Sequence, residues 1–174
     1  CHEVCPITTG AIIEMREAVE AAGLGSQVAF VEATVDPGRD SPQRLRAYAK
    51  LTGANWALLT GTPAQVAALW QFFGVAYERQ PIVSPAPTDW LTGQPEAYDV
   101  AHTDALFFLD EAGHERIVIA GGPDLGGRLD TRLSGLLDAQ GRENLAHPQG
   151  AWTVPQALGN LGHLLGRSIA PPAP

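Results

Sequence analysis

Short apolar runs alternate with capped helices in the first half of the chain, and this alternation constrains the fold more than any other feature. Three helices are predicted from apolar spacings of three and four, each with a proline in its first turn: 6–23, 42–52 and 63–73. Strand-like runs lie between them at 28–35 and 56–59. Ser41 and Thr62 stand at N-cap positions, and Gly74 stands at a helix end. Such alternation is typical of βαβ crossovers, with helices packed against a sheet.

The second half of the chain adds antiparallel structure. Apolar runs at 106–109 and 117–119 flank the turn-like residues 110–114, which predicts a hairpin over 105–120 and makes the sheet mixed. A helix is predicted over 154–165 from its leucine spacing. The remaining segments look irregular: a proline-rich insertion at 80–95, a glycine-rich loop at 121–127 and a poorly patterned region at 125–150.

Length and charge limit the class of protein. A chain of 174 residues with 45% hydrophobic residues supports one globular domain, expected over 1–170, with a disordered tail at 171–174. A formal net charge of −8 argues against a nucleic-acid partner, because that binding needs clustered Lys and Arg. The sequence contains no run of eighteen apolar residues, so no membrane span is predicted in it.

Cys1 and Cys5 are the only two cysteines, and they stand at the start of the first predicted helix. The N-terminus of a helix presents unpaired N–H groups and partial positive charge, which favour a thiolate as metal ligand or nucleophile. A structural disulfide across so short a loop would constrain the unfolded chain little, so we rank it below a functional pair. A pair of cysteines at a helix start is also the layout of thiol–disulfide oxidoreductases, although these usually have two intervening residues rather than three. The spacing alone leaves metal binding and redox chemistry open.

His102, directly before the predicted hairpin, is the candidate third ligand. In a thioredoxin-like arrangement the loop before that strand packs beside the active-site cysteines. Two thiolates and one imidazole form a soft site that suits Cu(I), and that accepts Cu(II) with an added or rearranged ligand. Zinc is the weaker interpretation, since its closed sites need a fourth ligand and only His2 or Glu3, both expected to face solvent, is at hand.

The other titratable residues carry less weight. Asp99 and Asp104 flank His102 and are candidates to orient its ring, although exposed loop carboxylates are the commoner case. The remaining histidines are expected to be structural or solvent-facing: His114, His147 and His163. No Ser-His-Asp arrangement is evident, and no catalytic residue is assigned beyond Cys1 and Cys5 as the redox pair of a reductase.

Four segments together resemble one known family, the Sco/SenC proteins, which assemble copper into the dinuclear CuA centre of cytochrome c oxidase. Residues 1–6 resemble its CxxxCP site, 35–42 its VDPxRDTP stretch, 59–62 its LTGT turn and 98–103 its YxVxH segment. The resemblance runs from Cys1 to about Gly122 and implies a thioredoxin-like fold with a mixed central β-sheet flanked by helices. Carried over by position, the copper ligands of the family fall on Cys1, Cys5 and His102. We interpret 36–42 as a turn and helix cap rather than a site.

The resemblance also implies partners and a location. The acceptor would be the CuA-bearing subunit of cytochrome c oxidase, with other copper chaperones as further partners. The family normally has a membrane anchor and a strand before the first cysteine, so we expect upstream residues that place the domain on the extracytoplasmic face of the cytoplasmic membrane. We do not favour acylation of Cys1 itself.

The sequence therefore predicts a copper metallochaperone. Two alternatives stay open: a thiol–disulfide oxidoreductase that reduces the cysteines of the oxidase copper subunit through Cys1 and Cys5, and a copper or redox sensor.

Overall fold

The structure is a computed structural model that describes residues 2–82, 86–148 and 150–172. These residues form two compact units, one of residues 31–103 and one of residues 2–30 with 104–172. One domain over 1–170 stays a prediction. The predicted disordered tail extends into residues 173–174, which lie outside the described residues.

The described residues of the unit 31–103, which are 31–82 and 86–103, form two helices and four strands. In chain order they are β1 (Val31–Ala33), α1 (Pro42–Thr52), β2 (Ala57–Leu59), α2 (Pro63–Phe73), β3 (Tyr77–Gln80) and β4 (Asp99–His102). Strands β1 and β2 pair in parallel, and β3 and β4 pair antiparallel. The predicted helices are confirmed at their full length, whereas the strand predicted over 28–35 is only three residues long.

The residues predicted to begin and end the helices of this unit do so in the structure. The Ser41 hydroxyl accepts a hydrogen bond from the Arg44 backbone N–H at 3.2 Å. Thr62 and Gln65 form a reciprocal capping box at the start of α2. Gly74 ends α2 with φ +69°, a conformation that favours glycine over any residue with a Cβ.

Strand β3 was not predicted. Its sequence, Tyr77 to Gln80, is almost wholly polar, so nothing in its pattern indicates a buried face. It forms because its backbone pairs with β4, which places Tyr77 opposite His102.

The proline-rich insertion is more ordered than predicted, although residues 83–85 lie outside the described residues. Thr88 and Pro95 form an isolated antiparallel bridge. Between them Asp89, 8% exposed, accepts hydrogen bonds from the backbone N–H groups of Leu91 at 3.0 Å and Thr92 at 2.7 Å.

Arg44 of α1 contacts the insertion. A guanidinium nitrogen of Arg44 lies 2.6 Å from the second carboxylate oxygen of Asp89, and its guanidinium carbon lies 4.9 Å from the centre of the Trp90 ring. The insertion is therefore fixed to α1 through Asp89.

The second unit is built around one buried helix. Its elements are α3 (Cys5–Ala21), β5 (Ala105–Leu109), β6 (Glu115–Ala120), β7 (Pro123–Asp124), α4 (Thr131–Ser134), α5 (Ala139–Ala146), β8 (Trp152–Thr153) and α6 (Val154–Leu165). The predicted hairpin is confirmed as β5 and β6, and the predicted last helix as α6. Ala11, Met15 and Val19 of α3 are at most 2% exposed and lie in a core that also includes Phe108, Trp152 and Leu158.

Two segments of this unit differ from the sequence prediction. The stretch 121–127, expected to be a loop, contains β7, which pairs in parallel with β8. The region 125–150, expected to lack pattern, contains α4 and α5, with N-caps at Asp130 and Asp138. Both helices are too short for an apolar period to show, which explains the difference. Residue 149 lies outside the described residues.

The ion pair of Asp89 gives a pH-dependent test of the insertion. Burial alone raises the pKa of Asp89, but hydrogen bonds from Thr92 and Arg44 outweigh it and lower that pKa to about 2. Since this folded-state pKa lies below that of an unfolded aspartate, the carboxylate stabilises the fold above about pH 4, and this stabilisation is lost as the pH falls toward about 2. We expect Asp89→Asn to lower the free energy of unfolding by about 2 kcal/mol at neutral pH, with a smaller difference from wild type at about pH 3. Urea unfolding at both pH values measures this, and an equal difference at both would show that the charge of Asp89 is not the cause.

Candidate metal site

Cys5 is the first residue of α3, so the helix begins one residue before its predicted start at Pro6 and ends at Ala21, before Gly23. Pro6 follows in the first turn, and the backbone N–H groups of Ile7 and Thr8 donate to the Val4 carbonyl at 2.8 and 2.9 Å. The Cys5 side chain is half-buried. A thiol at this position lies at the positive end of the helix dipole, which favours the thiolate that binds a soft metal.

Cys1 lies outside the described residues, so its role as a ligand stays a prediction. His2, next to it, differs from expectation, because it is buried and only 9% exposed rather than facing solvent. Its Nδ1 lies 2.9 Å from the Leu136 carbonyl oxygen. His2, the residue after the first cysteine, is thus hydrogen-bonded to Leu136, which lies far along the sequence.

His102 is the last residue of β4 rather than part of a loop, and its side chain is half-buried. Its Nδ1 lies 3.3 Å from the Thr103 carbonyl oxygen. His102 belongs to the unit of residues 31–103, and Cys5 belongs to the other unit. Within residues 2–82, 86–148 and 150–172, no three His, Cys, Asp or Glu side chains form a cluster that could hold a metal ion, and the predicted ligand set includes Cys1, outside those ranges.

The two aspartates that flank His102 have different surroundings. Asp99 accepts a hydrogen bond from the Val100 backbone N–H at 2.8 Å. A Cβ placed on Gly122 would lie 3.4 Å from Asp104 Oδ2 and 2.8 Å from a methyl carbon of Val4. The carboxylate of Asp104 therefore lies beside the loop that joins the two cysteines, a position its sequence context did not indicate. A role for either aspartate in orienting His102 stays a prediction.

A cluster of charged residues connects β4 to the turn at 36–42. The Arg39 guanidinium donates to Asp36 at 2.5 Å and to Glu96 at 2.6 Å, and the side chain of Glu96 is only 2% exposed. The Arg39 guanidinium also donates to the Tyr98 carbonyl at 3.1 Å. The Tyr98 hydroxyl donates to Asp36 at 2.9 Å.

Two arginines lie against the ring of Tyr98 in the same cluster. The guanidinium carbons of Arg39 and Arg79 are 4.5 and 4.2 Å from the ring centre. Burial acts to lower the pKa of Arg39, but the hydrogen bonds and charges of Asp36 and Glu96 prevail and raise it. Burial and the hydrogen bond to Asp36 raise the pKa of Tyr98. The sequence predicted 36–42 as a turn and a cap, and the structure adds that Arg39 fixes the segment that leads into β4 and His102.

The other histidines lie as expected on the surface. The side chains of His114 and His147 are each 73% exposed and lie near Asp110 and Glu143, respectively. His163 is an exposed residue in the last turn of α6.

Comparison with solved structures defines the class of fold. Copper-bound ScoI from Bradyrhizobium japonicum superposes with a TM-score of 0.56 at 20% identity, over 84% of this chain and 77% of that one. Copper-bound ScoI from Arabidopsis thaliana gives 0.54 at 19%, over 69% and 67%. A SCO1/SenC family lipoprotein from Bacillus anthracis gives 0.52 at 24%, over 69% and 64%. These likenesses confirm the predicted thioredoxin-like fold of helices and mixed strand pairs.

The family follows from the sequence itself. A family model described as SCO1/SenC matches residues 1–122, a range that contains Cys1, Cys5 and His102. The chain belongs to the SCO1/SenC family. A search of curated proteins gives no match. Among the described residues, no helix has the length and apolar character needed to cross a membrane.

The charge cluster of Arg39 predicts a large effect of one substitution. Arg39→Ala leaves the buried Glu96 carboxylate and Asp36 without their guanidinium, which should lower the free energy of unfolding by about 3 kcal/mol or more. It should also increase hydrogen exchange at the amides of β4. Arg132→Ala is the control, because its ion pair with Asp130 lies on the surface, with side chains 54% and 42% exposed. Equal effects of the two substitutions would contradict the assignment of Arg39 as the anchor of β4.

Proposed function

We propose that this protein is a copper metallochaperone that holds Cu(I) on Cys1, Cys5 and His102 and delivers it to the CuA-bearing subunit of cytochrome c oxidase. The observation that carries the proposal is the match to the SCO1/SenC family model over residues 1–122, which covers all three predicted ligands. Two structures with the same fold, ScoI from Bradyrhizobium japonicum and from Arabidopsis thaliana, contain bound copper.

The donor chemistry fits copper. Two thiolates and one imidazole are soft to borderline ligands, and Cu(I) accepts such a set in three-coordinate geometry. Cys5 at the start of α3 and His102 at the end of β4 are both half-buried, so each side chain retains partial access to solvent. Cu(II) would need an added or rearranged ligand.

The incomplete ligand set also suits transfer. A thiolate of the acceptor can enter the open coordination position before Cys1, Cys5 and His102 release the ion, so copper moves by ligand exchange without becoming free in solution. No covalent bond of the acceptor is broken in this process. The protein would act as a carrier rather than as an enzyme.

A second candidate function is reduction of the acceptor's cysteines by the Cys1 and Cys5 pair. It is favoured by one observation, the position of Cys5 in the first turn of a helix in a thioredoxin-like fold. In this reaction a Cys1 or Cys5 thiolate attacks the acceptor disulfide, and the other cysteine resolves the mixed disulfide. His102 has no part in it, which separates the two functions by experiment. No observation favours the third alternative, a copper or redox sensor.

We also propose a location outside the cytoplasmic membrane. The similar protein from Bacillus anthracis is a SCO1/SenC family lipoprotein, which supports this location. The acceptor and any other copper chaperone would meet the protein on this side. Anchoring would come from residues before Cys1.

A competitive Cu(I) titration of the reduced protein tests the ligand set. We expect one tightly bound Cu(I), with Cys1→Ser, Cys5→Ser and His102→Ala each weakening binding by at least about 100-fold because each removes a ligand from a three-coordinate ion. His114→Ala is the matched control, since its side chain is 73% exposed and lies in the hairpin turn. Normal binding by His102→Ala, or no binding by the wild type, would favour the reductase function.

A further inference from the structure

The loop between the two cysteines is held by residues 136–141, which we name the brace. His2 provides the side-chain contact, with Nδ1 2.9 Å from the Leu136 carbonyl oxygen. A carbonyl oxygen can only accept a hydrogen bond, so Nδ1 of His2 carries the hydrogen and donates it. Since His2 is only 9% exposed, this bond lies away from water, where its loss is costly.

The backbone of the loop also forms a hydrogen bond with the brace. The Asp138 backbone N–H donates to the His2 carbonyl at 3.1 Å. The brace thus binds both the side chain and the main chain of the residue that follows Cys1. Two hydrogen bonds to one residue fix its position and also its orientation.

The brace itself is held by hydrogen bonds and by burial. The Asp138 side chain accepts from the Gly141 backbone N–H at 2.8 Å and so caps α5. The Arg142 guanidinium donates to the Leu137 carbonyl at 2.6 Å. Leu136 and Leu137 are 7% and 4% exposed, and Leu137 belongs to the core that surrounds α3.

Gly141 allows the brace to approach the loop closely. A Cβ at this position would lie 2.3 Å from the His2 carbonyl oxygen and 3.0 Å from Glu3 Cα. Both are backbone atoms, so no side-chain rotation could relieve the clash. Only glycine permits this packing.

We propose that the brace sets the geometry of the loop between Cys1 and Cys5, and that His2 is a positioning residue for this pair rather than a metal ligand. A loop held at His2 has less freedom, so the two thiols lose less entropy when they bind one ion or close a disulfide. The role for copper rests on the proposed function. The effect of the brace on disulfide formation is independent of that function, because disulfide formation involves only Cys1 and Cys5.

Gly141→Ala tests the brace against a matched helical glycine. A Cβ at Gly159 of α6 would meet no described atom within 4 Å, so Gly159→Ala should leave the loop unchanged. The readout is the equilibrium of the full chain with glutathione disulfide. In this exchange the dithiol of Cys1 and Cys5 is oxidised to a disulfide, and one glutathione disulfide is reduced to two thiols that take up the two protons. We expect Gly141→Ala to lower the equilibrium constant for disulfide formation about tenfold and Gly159→Ala to leave it unchanged.

Variants of His2 separate positioning from ligation and do not depend on the folding of Gly141→Ala. His2→Asn keeps an N–H donor near the position of Nδ1 but has no imidazole, whereas His2→Ala has neither. We expect His2→Ala to lower both the disulfide equilibrium constant and Cu(I) affinity about tenfold, and His2→Asn to restore both toward wild type. Loss of Cu(I) binding in His2→Asn as well as His2→Ala, with an unchanged disulfide equilibrium, would identify His2 as a ligand and overturn the proposal.

The two readouts also separate this proposal from the proposed function. If the wild type binds no Cu(I), the metallochaperone function fails, and the disulfide equilibrium of the same variants still decides the role of the brace. If the disulfide equilibrium is the same in wild type, Gly141→Ala and His2→Ala, the brace does not set the geometry of the cysteine loop.

Discussion

The burial of α3 is the constraint on which the cysteine end of this protein depends. Ala11, Met15 and Val19 are at most 2% exposed, and the helix packs against α4, α6 and β7. Each large apolar side chain buried in this way contributes on the order of 2 kcal/mol, so the helix cannot shift without losing much of the stability of the unit. Because the axis of α3 is fixed, its first turn, with Cys5 and Pro6, is fixed as well. The brace then acts on His2, which lies before the helix begins.

In the unit of residues 31–103, ion pairs and hydrogen bonds rather than apolar packing hold the strand that carries the predicted ligand. Its strand β4 is fixed at one end by Arg39, which binds two carboxylates and the Tyr98 carbonyl. Buried ion pairs give up hydration, and this one offsets that cost by satisfying several acceptors with one guanidinium. Such an arrangement is directional in a way that apolar packing is not. It therefore suits a strand whose last residue, His102, is a predicted ligand.

Much of the fold could be predicted because local signals agreed with the final structure. Ser41, Thr62 and Gly74 mark helix ends by chemistry that operates within a few residues, and the hairpin over 105–120 has strong apolar runs. Strand β3 could not be predicted, since Tyr77 to Gln80 has no apolar alternation and depends on β4 for its pairing. The helices α4 and α5 are too short to show an apolar period, and Asp130 and Asp138 are the N-cap signals that mark their starts in the sequence.

The ligand set of Cys1, Cys5 and His102 comes from residue type, position and family resemblance and stays a prediction. The contacts that surround these residues could not be predicted. The burial of His2 could not be foreseen, because its partner Leu136 is 134 residues away and lies in a segment without pattern. The same holds for Glu96, whose buried position becomes evident only when Arg39 lies against it. Long-range polar contacts of this kind leave no trace in sequence spacing.

X-ray absorption spectroscopy of the full chain loaded with one Cu(I) identifies the atoms bound to the metal and so tests the proposed ligand set. We expect two sulfur scatterers and one nitrogen scatterer, with the nitrogen lost in His102→Ala and retained in His2→Asn. A site with sulfur ligands alone in the wild type, or a nitrogen that persists in His102→Ala, would contradict it.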